Sequence, residues 1–154
     1  MLCSFFSCST TNEETYSQAN TARDSASTPP QVNTGMLCFL KVEGQQNQDT
    51  AFIQMNIEGN NITGSFHNLP HEKDKRKGKL QGTLNDNIIS ASWIYMQEGK
   101  IDTLPVQFMI SDYQLLQKPY QHDTVTGKAS LADSAGFTIR FQATDCQQQP
   151  GAIK

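Results

Sequence analysis

The stretch HEKDKRKGKLQGTLNDNIISASWIYMQEG, residues 71–99, decides the fold. It opens on a charged turn (EKDKRK, 72–77) and continues as two runs in which apolar and polar residues alternate about Asn85-Asp86-Asn87. Leu80, Gly82 and Leu84 share one face of the first run. Ile89, Ala91, Trp93 and Tyr95 share one face of the second, with Ser90 and Ser92 opposite. Alternation with period two marks a strand with one buried face, and Asn and Asp tolerate the positive φ that a tight reversal needs. The stretch therefore predicts a β-hairpin, closed at its far end by Glu98-Gly99.

The same pattern extends in both directions. Upstream, Met36, Cys38, Leu40 and Val42 alternate as a first inward set, with Leu37 and Phe39 apolar as well; Ala51, Ile53, Met55 and Ile57 form a second set. After the turn at 58–61 come Ile62, Gly64 and Phe66. Downstream, Leu104, Val106, Phe108 and Ile110 alternate, a short run follows at 113–117, and Phe137, Ile139, Phe141 and Ala143 make a closing strand. No segment carries a helical period. The fold class is all-β: an antiparallel meander of about eight strands, predicted as an up-and-down barrel, with an open sandwich as the alternative. Pro105 has no amide proton, so its strand should lie at an edge, carry a bulge or turn that position outward. Residues 119–135 read as a long loop or as an additional short strand near Val125.

At 154 residues and 17.1 kDa the chain has room for one domain and a tail. Net charge is -3 and the pI about 5.5, which leaves no basic footprint for nucleic acid. No apolar run approaches the roughly 20 residues of a membrane-spanning helix. Residues 9–34 hold almost no large apolar side chains and include Pro29-Pro30, so they read as a disordered tether. The predicted organisation is 1–8 as the remnant of a signal peptide, 9–34 as the tether, 35–146 as the β-barrel domain and 147–154 as a flexible tail.

Residues 1–8, MLCSFFSC, resemble the end of a bacterial lipoprotein signal peptide, with Cys8 as the residue lipidated after cleavage; the competing expectation is an N-terminus with free thiols at Cys3 and Cys8. Cys38 and Cys146 flank the predicted domain. They read either as a disulfide joining its two ends or as one buried and one exposed cysteine. No CxxC or Cys/His ligand spacing suggests a metal, and no cofactor is expected.

Glu72, Lys73 and Asp74 in the charged turn, with Tyr95 and Glu98, are the candidate binding residues. Glu98 is placed to join a ring of hydrogen bonds with Lys73 or Tyr95. A hydrolase pairing Glu72 or Asp74 with Glu98 is a third-ranked reading, because no GxSxG, HExxH or phosphate-cradling loop is present. Asp followed by Ser or Thr and a small or aliphatic residue recurs at Asp24, Asp49, Asp102, Asp123 and Asp133. This triplet resembles the O-glycosylation signal of exported Bacteroidetes proteins, and Ser25, within the tether, is the copy most open to modification.

Cys8, the tether and the spaced Glu-Lys-Asp, Gly, Gly, Asp, Ala, Tyr and Glu-Gly residues together resemble small Bacteroidetes envelope lipoproteins of uncharacterised function, with a lipocalin-like or similar small β-barrel. That resemblance implies a cell-envelope protein, an outer-membrane lipoprotein whose partners are the membrane, through its lipid, and a small ligand or envelope protein. The implied role is non-enzymatic binding through a barrel mouth or loop. A protein inhibitor or envelope-assembly factor is the alternative.

Overall fold

The computed structural model describes residues 35–147. Cys8, Ser25, the tether and residues 148–154 lie outside this range. Ten strands follow in chain order: β1 Gly35–Glu43, β2 Asp49–Glu58, β3 Asn61–Leu69, β4 Arg76–Asn85, β5 Ile88–Gln97, β6 Lys100–Ile110, β7 Gln114–Gln117, β8 Tyr120–His122, β9 Ala129–Leu131 and β10 Ile139–Ala143. Eight of them close an antiparallel barrel in the order β1-β10-β7-β6-β5-β4-β3-β2, and β8 and β9 form a separate hairpin. The predicted up-and-down barrel is thus the observed fold. The 119–135 segment is the small hairpin rather than one strand at Val125, which sits in its turn.

Tight reversals set the register. At the β5–β6 turn Glu98 and Gly99 both take positive φ, 48° and 78°, the mirror-image geometry that matches the twist of the flanking strands. Pairing is long from β1 through β2 to β6 and short elsewhere. The closing seam registers only Phe39 with Ala143 and Leu40 with Gln142. Just beyond it the Thr144 amide donates to the Cys38 carbonyl at 2.9 Å, and the Cys38 and Cys146 sulfurs lie at disulfide distance, 2.13 Å, with Cα atoms 5.1 Å apart. This pair staples the seam.

The interior is filled. All eight barrel strands contribute to one buried cluster, from Phe39 on β1 to Phe141 on β10. Phe66 stacks on Trp93 at 4.3 Å and meets Phe108 and Phe141 edge-on. The Trp93 Nε1 donates to the Phe66 carbonyl at 3.0 Å, so the indole is buried without an unpaired donor. Register explains the fit: Gly78 lies in ladder between Phe66 and Tyr95, and the missing side chain leaves room for the rings to meet across β4. Trp93 and Tyr95 therefore pack the core; they do not line an internal ligand cavity.

One predicted face is corrected. In β1 the core takes Phe39, with Leu37 packed against it, and not Met36, Cys38, Leu40 and Val42. Met36 and Val42 are exposed, and Cys38 is buried outside the core cluster. On β2 Phe52, paired with Leu40 and opposite in phase to the core set, is also only 1% exposed. Both faces of β1 and β2 are thus partly covered, and alternation loses its meaning there.

Candidate functional site

Because the strands alternate in direction, the connections at 44–48, 70–75, 98–99 and 118–138 gather at one mouth of the barrel. Glu72, Lys73, Asp74, Tyr95 and Glu98 all belong to this end. The charged turn is shorter than predicted, because β4 already begins at Arg76.

The mouth is built around Arg76. Stepping back by two from Leu80 through Gly78 places Arg76 on the inward face of β4, where it is half-buried. Its Nε donates to Gln97 Oε1 at 2.6 Å, and Gln97 Nε2 donates to Asp74 Oδ2 at 2.9 Å. The guanidinium lies over the Tyr95 ring, 5.2 Å from the centroid. Among the described residues the one ion pair joins Lys41 to Glu43, so Arg76 has no carboxylate in contact. Its charge is oriented by an amide and a ring, and the nearest linked carboxylate, Asp74, is reached only through Gln97.

Tyr95 donates its hydroxyl proton to Asp102 Oδ2 at 3.2 Å, and Asp102 stands directly opposite it in the β5–β6 ladder. The expected ring through Glu98 does not form. The left-handed turn carries Glu98 into solvent, and Tyr95 takes its partner from β6. Burial pushes the Tyr95 hydroxyl above its ordinary pKa; the Arg76 charge opposes the shift and Asp102 adds to it.

Asp102 also closes the edge of β6. The β6–β7 ladder stops at Phe108–Gln117, so the first part of β6 has no barrel neighbour on that side. The Thr103 amide is taken by Asp102 Oδ1 at 2.7 Å, and Pro105 has no amide to offer. The Pro105 carbonyl accepts from the Tyr120 hydroxyl at 2.9 Å. Pro105 therefore lies at an open edge, as its missing proton requires, and the edge is blunted against strand addition. Tyr120 is held neutral by the same packing: burial raises its pKa most, and the neighbouring Tyr95 adds to the effect.

Between this edge and the β8–β9 hairpin lies a cleft of about 570 Å³. Arg76, Tyr95, Gln97 and Asp102 form its inner end, Leu104 and Pro105 one wall, and His122, Lys128 and Ser130 the other. Glu72, Lys73 and Asp74 line an adjoining depression with Arg76 and Gln97. Glu98 lines neither. The carboxylates proposed for a hydrolase share one end of the barrel without sharing a cavity. Among the described residues no group of three or more His, Cys, Asp or Glu is placed to hold a metal ion.

The sequence expectations give Arg76, Gln97 and Tyr120 no part in the site and read Asp102 only as a member of a glycosylation-like triplet. Strand parity could have found three of these: counting by two from Leu80 reaches Arg76, from Tyr95 reaches Gln97, and from Val106 through Leu104 reaches Asp102. Tyr120 gives no comparable signal, because it stands in a three-residue strand outside the barrel.

These features define a closed, eight-stranded up-and-down barrel with a solid interior and a polar, arginine-centred cleft at one mouth. In comparisons with known proteins the chain matches no protein family, no curated protein and no solved structure.

Proposed function

We propose that this is a lipid-anchored cell-envelope protein, held at the outer membrane through Cys8 and the 9–34 tether, that binds a partner without catalysis through the mouth of its barrel. The observation that carries the binding reading is Arg76. It is half-buried and fixed by Gln97 and Tyr95, and no carboxylate touches it. A guanidinium prepared in this way is matched by an incoming anionic group, a carboxylate above all, which it can grip with two parallel hydrogen bonds. Lys128 on the facing wall adds to the attraction, His122 can offer a ring N–H, and Leu104 and Pro105 supply apolar contact. The filled core confines a ligand to this rim.

A second reading is favoured by the tip of the β8–β9 hairpin, where Val125 is 91% exposed. The Asp123 carboxylate accepts from the Val125 and Thr126 amides, so the tip is an ordered projection of the kind an inhibitor or assembly factor presses against another protein.

The test is native mass spectrometry of the full-length protein released from its own envelope in mild detergent, beside Arg76→Gln. A reproducible adduct or partner on the native protein that is lost in Arg76→Gln is the expected result. A bare mass, or an adduct that survives the substitution, refutes binding at this cleft. A mass without lipid on Cys8 refutes the anchor separately.

A further inference from the structure

The outer wall of β4, β5 and β6 carries an apolar patch that the fold does not use. Ile101 is 72% exposed, Met96 53% and Ile94 40%. The ladders place them together: Met96 pairs with Ile101, and Ile94 stands two residues before Met96 on the same face of β5. Their neighbours on the other side are lysines, Lys77 opposite Met96 and Lys79 opposite Ile94. Two cross-strand rows thus read lysine then aliphatic. The carboxylates nearest in sequence are placed elsewhere, Glu98 in the turn and Asp102 in the mouth cleft.

We infer that this wall is a docking face for an anionic lipid surface. Exposed aliphatic side chains grouped on one face mark an interaction site, and the chemistry around these selects the partner. Lysines bordering an apolar patch can lay their stems along it while holding their ammonium groups among anionic headgroups. The wall is convex, and none of the clefts described above opens on it. It offers no groove for a peptide; β4 and β5 are paired on both sides, and the open first part of β6 beside Ile101 is blunted against a second barrel by Asp102, which takes the Thr103 amide, and by Pro105. A fluid, negatively charged surface has no shape requirement and meets it fully. The face is separate from the mouth cleft, so this inference does not rest on the binding role proposed there.

The experiment uses the full 154-residue chain, unlipidated, with vesicles of phosphatidylglycerol and phosphatidylcholine in equal parts and vesicles of phosphatidylcholine alone. Cosedimentation with the anionic vesicles that weakens as salt is raised is expected, with little on the neutral ones. Each lysine neutralised should lower the partition coefficient roughly fivefold, so Lys77→Gln with Lys79→Gln should lower it by roughly 25-fold. Both side chains are exposed, and an unchanged circular dichroism spectrum and melting temperature will show that the variant folds. In Ile101→Trp the added indole should be quenched by brominated lipid, whereas Trp93 is buried in the core and should not. Equal binding to both vesicle types, no binding to either, or binding indifferent to the two lysines overturns the inference. So does a dimer in sedimentation velocity that Met96→Ser dissociates, because the patch would then belong to a second copy.

Discussion

Replacing Cys38 and Cys146 together by Ala should cost this barrel a large part of its stability, because the link closes a loop of sequence separation 108. In the chain-entropy account the loss is roughly 4–5 kcal/mol at 25 °C, a large share of the 5–15 kcal/mol that a domain has in total. At roughly 4 °C per kcal/mol for a domain near this size, the melting temperature should fall by roughly 15–20 °C. Geometry says where the loss falls. The β1–β10 seam has two registered pairs and one further amide bond from Thr144 to Cys38, while its neighbours on β2–β5 are paired along nearly their whole lengths. Without the link β10 should open first and expose strand edges that invite association. Urea unfolding of the double variant should show a lower midpoint and a steeper slope, since the unfolded chain is no longer cross-linked and exposes more surface. Hydrogen exchange should lose protection at 139–143 before 52–57. A fall in melting temperature below 5 °C, or loss of protection spread evenly over all strands, would refute the idea that the staple holds the seam.

Two further changes probe the barrel wall. At Gly82 an added Cβ would lie 2.5 Å from Ala91 Cα and Cβ and closer still to the Ser90 carbonyl oxygen, so Gly82→Ala must push β4 off β5; a loss of about 1–3 kcal/mol in urea titrations is expected, and an unchanged midpoint would count against the close approach. His67 on β3 has its pKa lowered from 6.5, by burial first and by Lys77 second, so between the depressed value and 6.5 the unfolded chain binds the extra proton. Stability is then fully present above pH 6.5 and declines as the pH falls below it; midpoints at pH 7.5, 6.5 and 5.5 should fall more gently in His67→Gln than in the native protein, and parallel profiles would sink the assignment.

How far the sequence could be read depends on whether one face of a strand or two are buried. From β3 through β6 one face meets the core and the other meets water, so alternation identified the hairpin at 71–99, its turns and its buried residues. On β1 the information fails for a physical reason. Phe39 enters the core while Cys38, one residue before it, is buried outside it, and both positions are apolar. Nothing in GMLCFLKVE then tells inside from outside, and the set in phase with Met36 is not the one that enters the core. The mouth was hidden differently. In EKDKRK every position carries a charged side chain, so composition does not say which one turns inward, and the carboxylates Glu72, Asp74 and Glu98 stand out no less than Arg76. Glu98 adjoins the strand of Tyr95 but lies in a left-handed turn; Asp102, seven residues from Tyr95, stands directly opposite it. What separates these cases is parity carried through from the buried core. Leu80 is buried, two steps back is Gly78, and two more is Arg76, whose side chain must therefore share the inner face at the point where the barrel opens. A charged run that continues a strand keeps the strand's period, and the member in phase with the core is the one that reaches the site.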